Sequence, residues 1–321
     1  MSKPKILYLA YKLFNQILEN EPMMTGAYQW IRVFNSDYKN WKELEQTKSE
    51  LEKYDLIHIN GDPMDLRLIH EVRFILGESS STKIVVNQDH APELWDVNFP
   101  FITEVRRALM DADYIFATSP CAKNLLDLLM EGRKKIHLIP HPCETHVLKR
   151  IDSFIRSEHL LVFWHRYDHP LIVPWLATKN LGISVSLVGY LQDQDPNFKI
   201  TMNVPNWRII SYLRFPDFIK LMKEAIFGYD PFNSYSYGRV LCDAACLRLP
   251  MVCSSFNYSA KILYPFTSVN PFDAKKSREL LKKLMEDEKF REKVVDYAYE
   301  HVEFFSHKAS RERFLAMIED A

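Results

Sequence analysis

Twice along this chain, apolar runs of strand length alternate with helical patterns, and that alternation constrains the fold more than any other feature. In the first half, Ile6–Ala10 (ILYLA), Leu56–Asn60 (LIHIN) and residues 83–87, 114–118 and 136–139 read as strands. Their nearly unbroken apolar character suits strands covered on both faces, as in parallel sheets. Helical stretches lie between them: 27–34 after Gly26, about 65–76 after Gly61-Asp62-Pro63, 102–111, and a segment opened by Ser119 and Pro120. The last pair is an N-cap followed by proline at the first helical position. The pattern then restarts. Residues 160–164, 185–188 (closed by Gly189), 225–229 and 251–254 read as extended, and 170–181, 215–224 and 238–247 as helical. From Asp273, an N-cap candidate, the chain is helical and charge-rich. This order predicts two α/β halves of similar size, joined around residues 145–158.

Glycine usage narrows the function. Only eight of 321 residues are glycine, and no two lie closer than seven positions; the usual share is roughly 7%. Phosphate loops of the G-x-G-x-x-G and G-x-x-x-x-G-K types need clustered glycines so that bare backbone can approach the ligand. Both are excluded, and with them most nicotinamide dehydrogenases and P-loop NTPases. A formal net charge of −1 gives no basic footprint, so nucleic acid is not expected as a partner. Five scattered cysteines without a C-x-x-C pair read as reduced thiols. The opening MSKPKILYLAYKLF has too short an apolar run for a signal peptide, and no stretch approaches the roughly 18–20 apolar residues that span a bilayer. A cytoplasmic protein is expected, with peripheral membrane contact left open.

Open parallel sheets bind ligands beyond the carboxyl ends of their strands. The informative residues are therefore Gly26, Gly61, Gln88-Asp89-His90, His141, His165-Arg166, Gly189 and the segment 230–243. Within that segment, Tyr235-Ser-Tyr-Gly238-Arg239-Val-Leu-Cys-Asp243-Ala244, continuing to Pro250-Met-Val252, resembles the nucleotide-sugar signature E-P-F-G-x-x-x-x-E-A-x-A-x-G-x-P-V-V of retaining GT-B glycosyltransferases. Gly238, an acid at Asp243, Ala244, Pro250 and Val252 match in register. Asp113 to Ser119 resembles the family's D-x-x-x-x-x-S strand, Ile136 to Pro142 the end of its first domain, and Val162 to Arg166 the "GR" that opens its second. The order holds over nearly the whole chain. There are departures. Tyr235 stands for the first glutamate, Asp243 shortens the second, His165 replaces the glycine of "GR", Arg248 replaces another glycine, and the lysine after the arginine has no counterpart. A divergent branch resembling the spore-maturation protein CgeB shares the missing glutamate and is the closer likeness.

The resemblance implies the GT-B fold: two Rossmann-like domains facing each other across a cleft, with a C-terminal helix crossing back to the first. It places an acceptor-side domain at 1–157, a donor-side domain at 158–300 and the crossing helix at 301–321. It implies a metal-independent transfer of sugar from a nucleoside-diphosphate sugar, with retention, to an acceptor (glycan, lipid, protein or small molecule) that the residues do not name.

Physical chemistry gives each site residue a role and an alternative. Gly238 starts a helix where backbone must approach a diphosphate, and Arg239 adds a cation in the first turn. Arg239 is unfavourable for the helix dipole, which a bound anion would explain; the alternative is a surface arginine. Arg166 directly follows a strand and could hold the same phosphates bidentately, or pair with Asp168. Asp243, in an apolar helix where a lone acid would be costly to bury unless paired, could accept from ribose hydroxyls, or be a solvated helix acid. Tyr235 could bind or stack on the sugar, or be core. His90, with Asp89, falls at the family position that contacts the transferred sugar or acceptor and could donate or shuttle a proton, or be a loop histidine. Gly26 allows close approach of phosphate or acceptor, or merely begins a helix.

No metal or other cofactor is assigned. Asp111-Ala-Asp113 and Asp193-Gln-Asp195 match D-x-D at about chance frequency. His137, His141 and His146 straddle two prolines and would not share a helical face. The competing function is a GT-B-like protein without catalysis, serving as a nucleotide- or sugar-binding scaffold.

Overall fold

A computed structural model describes residues 4–10, 26–61, 66–88, 102–151, 159–164, 171–189, 206–210 and 213–320. The chain forms two compact units. The first comprises Met1–Pro142, Tyr235–Tyr237 and His307–Ala321; the second comprises Cys143–Ser234 and Gly238–Ser306.

The first unit is a six-stranded parallel sheet. Its strands are β1 (Ile6–Ala10), β2 (Asp37–Asn40), β3 (Leu56–Asn60), β4 (Lys83–Gln88), β5 (Tyr114–Ala117) and β6 (Ile136–Leu138), in the order β2-β1-β3-β4-β5-β6. Alternate strand residues point to opposite faces, and both faces are covered. Leu7, Leu9, Ile57, Ile59, Ile84, Val86 and Ile115 pack beneath the helices Leu66–Leu76, Ile102–Met110 and Pro120–Met130. Tyr8, Leu56, Val85 and Phe116 face the other way, onto Trp30 and Phe34 of helix Gly26–Phe34 and Phe314 and Met317 of helix His307–Glu319. The last helix of the chain thus completes the first unit's core. Two of the helix ends have clear local causes. Ser119 accepts from the Ala122 amide at 3.3 Å with Pro120 in the first turn. Gly77, at φ +74°, closes helix Leu66–Leu76 by donating to the Arg73 carbonyl.

The second unit repeats the plan with β7 (His159–Trp164), β8 (Ser184–Gly189), β9 (Trp207–Ile210), β10 (Phe227–Asp230), β11 (Met251–Ser254) and β12 (Ser268–Val269). These lie parallel in the order β12-β11-β10-β7-β8-β9. Their helices include Ile172–Thr178, Phe215–Glu224, Arg239–Cys246, Tyr258–Leu263, Ala274–Glu286 and Glu288–His301. Asp273 caps the helix Ala274–Glu286 by accepting from the Lys276 amide at 2.8 Å.

The α/β class and the strand–helix alternation agree with the sequence. The differences are local: β2, β9 and β12 and the helices Lys48–Leu51, Thr145–Leu148 and Tyr258–Leu263 have no counterpart in the sequence, and Gly189 ends β8 as its last residue. Among the described residues, no helix is long and apolar enough to cross a membrane.

Candidate functional site

Of the residues singled out in segment 230–243, Gly238, Arg239 and Asp243 follow β10 in the second unit, whereas Tyr235 belongs to the first. Asp230 ends that strand, and the chain then runs without regular structure to Gly238. Gly238 adopts φ +81°, ψ +57°, the left-handed conformation that L side chains rarely take, and caps the helix Arg239–Cys246. A second constraint acts there. A Cβ on Gly238 would stand 2.5 Å from Ser259 Oγ and 2.9 Å from Asn257 Cβ. The turn is held by Ser259, whose hydroxyl donates to the Gly238 carbonyl at 2.7 Å. Glycine is thus required at this helix start both for its backbone angle and for its lack of a side chain.

Arg239 and Asp243 lie one turn apart on that helix. The Arg239 Nε–H donates to Asp243 Oδ1 at 3.1 Å. The same oxygen receives the Cys143 thiol at 3.7 Å. Asp243 is only 2% exposed, and burial pushes its carboxyl above the usual range against the opposing pull of Arg239. The partner that a buried acid requires is therefore Arg239, four residues earlier. That pair also offsets the unfavourable placement of a cation in the helix's first turn. Cys143, from the beginning of the second unit, is a neighbour that sequence reasoning missed, and only tertiary structure brings it there. The Cys246 thiol is pushed up, chiefly by its contact with Cys143 and then by burial.

Tyr235 is 40% exposed, whereas Tyr237 is buried. Tyr237 packs edge-on against His141, ring centroids 5.5 Å apart. His141 Nδ1 accepts the Trp30 indole N–H at 3.1 Å, which leaves any ring proton of a neutral His141 on Nε2. This Trp30–His141–Tyr237 chain at the carboxyl end of the first sheet was legible only as a histidine after a strand.

Gly26 is the first residue of helix Gly26–Phe34. Asp89, His90 and Arg166 lie outside the described residues, as do Asp193 and Asp195. Just before Asp89, Gln88 is buried at the end of β4, and Gly61 presses on it: a Cβ there would meet Gln88 Oε1 at 2.5 Å and the Asn87 carbonyl at 2.6 Å. Close backbone approach explains that glycine without a ligand.

The other D-x-D pair is engaged in structure. Asp113 accepts from Arg73 at 2.5 Å and from the Ile84 amide at 2.7 Å, and Asp111 pairs with His70. Among the described residues, no three His, Cys, Asp or Glu side chains are grouped so as to hold a metal ion.

No family profile and no curated protein matches this sequence. Solved structures do match its fold. An alpha,alpha-trehalose 6-phosphate synthase from Burkholderia multivorans superposes with a TM-score of 0.72 at 11% identity, covering 100% of this chain and 99% of its own. A trehalose-6-phosphate synthase studied with bisubstrate glycomimetics of glycosyl transfer with retention gives 0.73 at 11%, with 99% of each chain covered. An alpha-glucosyltransferase in complex with UDP-glucose and DNA containing an abasic site gives 0.66 at 13%, covering 99% of this chain and 100% of its own. With its paired six-stranded parallel α/β units, the chain has the fold of these glycosyltransferases, GT-B.

Proposed function

We propose that this protein is a nucleotide-sugar-dependent glycosyltransferase that works without a metal and transfers its sugar with retention. The observation that supports this best is the left-handed Gly238 turn opening a helix with Arg239 in its first turn and Asp243 one turn on, within a GT-B fold. A diphosphate leaving group needs its developing charge stabilised. Backbone amides at a helix N-terminus and a nearby arginine supply that without proton transfer. In this reading Gly238 lets the backbone meet the diphosphate, and Arg239 and Arg166 neutralise it. Asp243 accepts from the ribose and Tyr235 from the sugar. Asp89 and His90 face the transferred sugar and acceptor, and Gly26 admits phosphate or acceptor on the first-unit side. The first unit then holds the acceptor and the second the donor. Solved neighbours that carry UDP-glucose or act with retention make a UDP-sugar the first donor to try.

A thermal-shift screen with UDP-, GDP-, ADP- and TDP-sugars tests the reading. One of them should raise Tm in proportion to its occupancy. Arg166→Ala and Asp243→Asn should each weaken that donor about tenfold or more, the scale of a lost charged hydrogen bond. If neither variant alters donor binding or hydrolysis, the site assignment is wrong.

A second reading, a binding scaffold without catalysis, draws on Tyr235 in the place of a glutamate and on the engagement of Asp243 by Arg239 and Cys143. It predicts no donor hydrolysis even where a nucleotide stabilises the protein.

A further inference from the structure

Asp230 is a buried acid at the end of β10 for which the roles above have no use. It is 2% exposed. Its Oδ2 accepts from Asn257 Nδ2 at 2.8 Å, and its Oδ1 is buried without a hydrogen-bond partner. Asn257 in turn is 1% exposed and precedes helix Tyr258–Leu263. Its Cβ and Cγ form the wall against which Gly238 is packed, 2.9 and 3.1 Å from where a Cβ would stand. Two residues on, Ser259 binds the Gly238 carbonyl. One set of contacts therefore runs from the end of β10, through the segment after β11, to the turn that starts the helix Arg239–Cys246.

We propose that Asp230 is a positioning residue for the donor site: through Asn257 it fixes the left-handed turn at Gly238, and with it the direction of the amides at the start of helix Arg239–Cys246. This rests on the reading of that helix start as the diphosphate site. Asp230 performs the task as a neutral carboxylic acid. The groups facing it are the Asn257 amide from the segment after β11, the Phe232 backbone amide from its own loop, the Cys253 thiol from β11 and the neighbouring Tyr229 phenol. None is a cation. Burial accordingly pushes its carboxyl up to about 7, with the Phe232 amide and Asn257 pulling only partly the other way. Above that pH a negative charge appears beside Asn257. The carboxylate keeps its hydrogen bond from Asn257, but it sets a negative charge beside a turn built to receive an anion.

The test is UDP-glucose binding by wild type, Asp230→Asn, Asp230→Ala and Asn257→Ala across pH 6 to 8, with Tm of the ligand-free proteins measured over a wider range. Asparagine can accept from Asn257 and never ionises. Wild-type affinity should fall about tenfold between about pH 6 and pH 8, the loss expected when the competent form titrates near 7. Asp230→Asn should stay flat. Asp230→Ala and Asn257→Ala should be weak throughout. Without ligand, the folded protein keeps the Asp230 proton while the unfolded chain loses it near the ordinary carboxylate value of 3.8. The stability it contributes is therefore complete below about pH 4 and lost as pH rises to about 7, and wild type should lose Tm relative to Asp230→Asn over that window. Parallel pH profiles for wild type and Asp230→Asn, with wild-type binding intact, would overturn this proposal and leave the donor site standing. Failure of wild type to bind any nucleotide sugar at any pH would overturn both.

Discussion

Arg248 stands where the resemblance puts a glycine, yet its backbone keeps a glycine's conformation, φ +56°. An L side chain there costs roughly 1–2 kcal/mol. The guanidinium is held by Asp296 and lies 4.9 Å from the centre of the Tyr299 ring. Both contacts are largely exposed, and such contacts contribute about 1 kcal/mol or less each. Arg248→Gly should therefore unfold within about 1 kcal/mol of wild type, and Arg248→Ala about 1 kcal/mol below Arg248→Gly, because alanine loses the contacts and keeps the strain. Urea midpoints for the two variants decide this; an alanine variant as stable as the glycine one would mean that the backbone at 248 is not strained. The substitution was plain in the sequence, but the survival of the glycine conformation was not, since a side chain's identity does not report the angle it is forced into. Asp243 shows the same division. Its burial followed from the apolar residues around it, and a need for a partner followed from its burial. That the partner was Arg239 could be read from an i, i+4 spacing, whereas Cys143, a hundred residues away, could not.

At the scale of elements, the structure follows signals that act locally. Ser119-Pro120 and Asp273 begin helices for reasons contained within four residues. Ser119→Ala should lower stability by about 1 kcal/mol, the usual effect of removing an N-cap oxygen, with Ser119→Asp retaining most of it; equilibrium denaturation of the three proteins checks this. The central strands were equally clear, because strands buried on both faces must be apolar at every position. The edges were not. β2 is the polar sequence DYKN, partly exposed along its length. β12 has two residues, and β9 carries Arg208 among its four. Edge strands are short and half-solvated, so their sequences look like loops, and they pair only because a formed neighbour offers them a ladder. The site suffered from the same limit. Gly238 was found from its place in a motif, but Asn257 and Ser259, which make it indispensable, come from a helix that the sequence did not announce.

For the molecule as a whole, one buried group in each unit responds to acid, His58 in the first and Asp230 in the second, and they do so in opposite directions. In the first, His58 is enclosed by Tyr8, Trp30, Phe116 and Phe314, with ring centroids 4.8 to 5.8 Å away. Its Nε2 donates to Asn87 Oδ1 at 2.8 Å, the Asn87 amide being turned toward Asn60. Burial pushes its pKa down to about 3. The stability it contributes is complete above the ordinary value of 6.5 and is lost as pH falls toward 3, as the unfolded chain takes up a proton that the folded one refuses. The loss is on the order of a few kcal/mol. Lowering the pH from about 7 to 4 should thus weaken the first unit, and His58→Gln should flatten that part of the Tm profile. An unchanged profile would show that the ring is hydrated enough to charge within the fold.

The same aromatic enclosure has a consequence for biosynthesis. Phe314 and Met317, which pack on it, are made after the whole of the second unit, whereas Tyr8, Trp30 and His58 are made before it. Until then that face of the first sheet has helix Gly26–Phe34 but not helix His307–Glu319 over it. While the second unit is being made, the nascent chain carries a partly open aromatic surface of the kind that chaperones recognise and that aggregates when they are scarce.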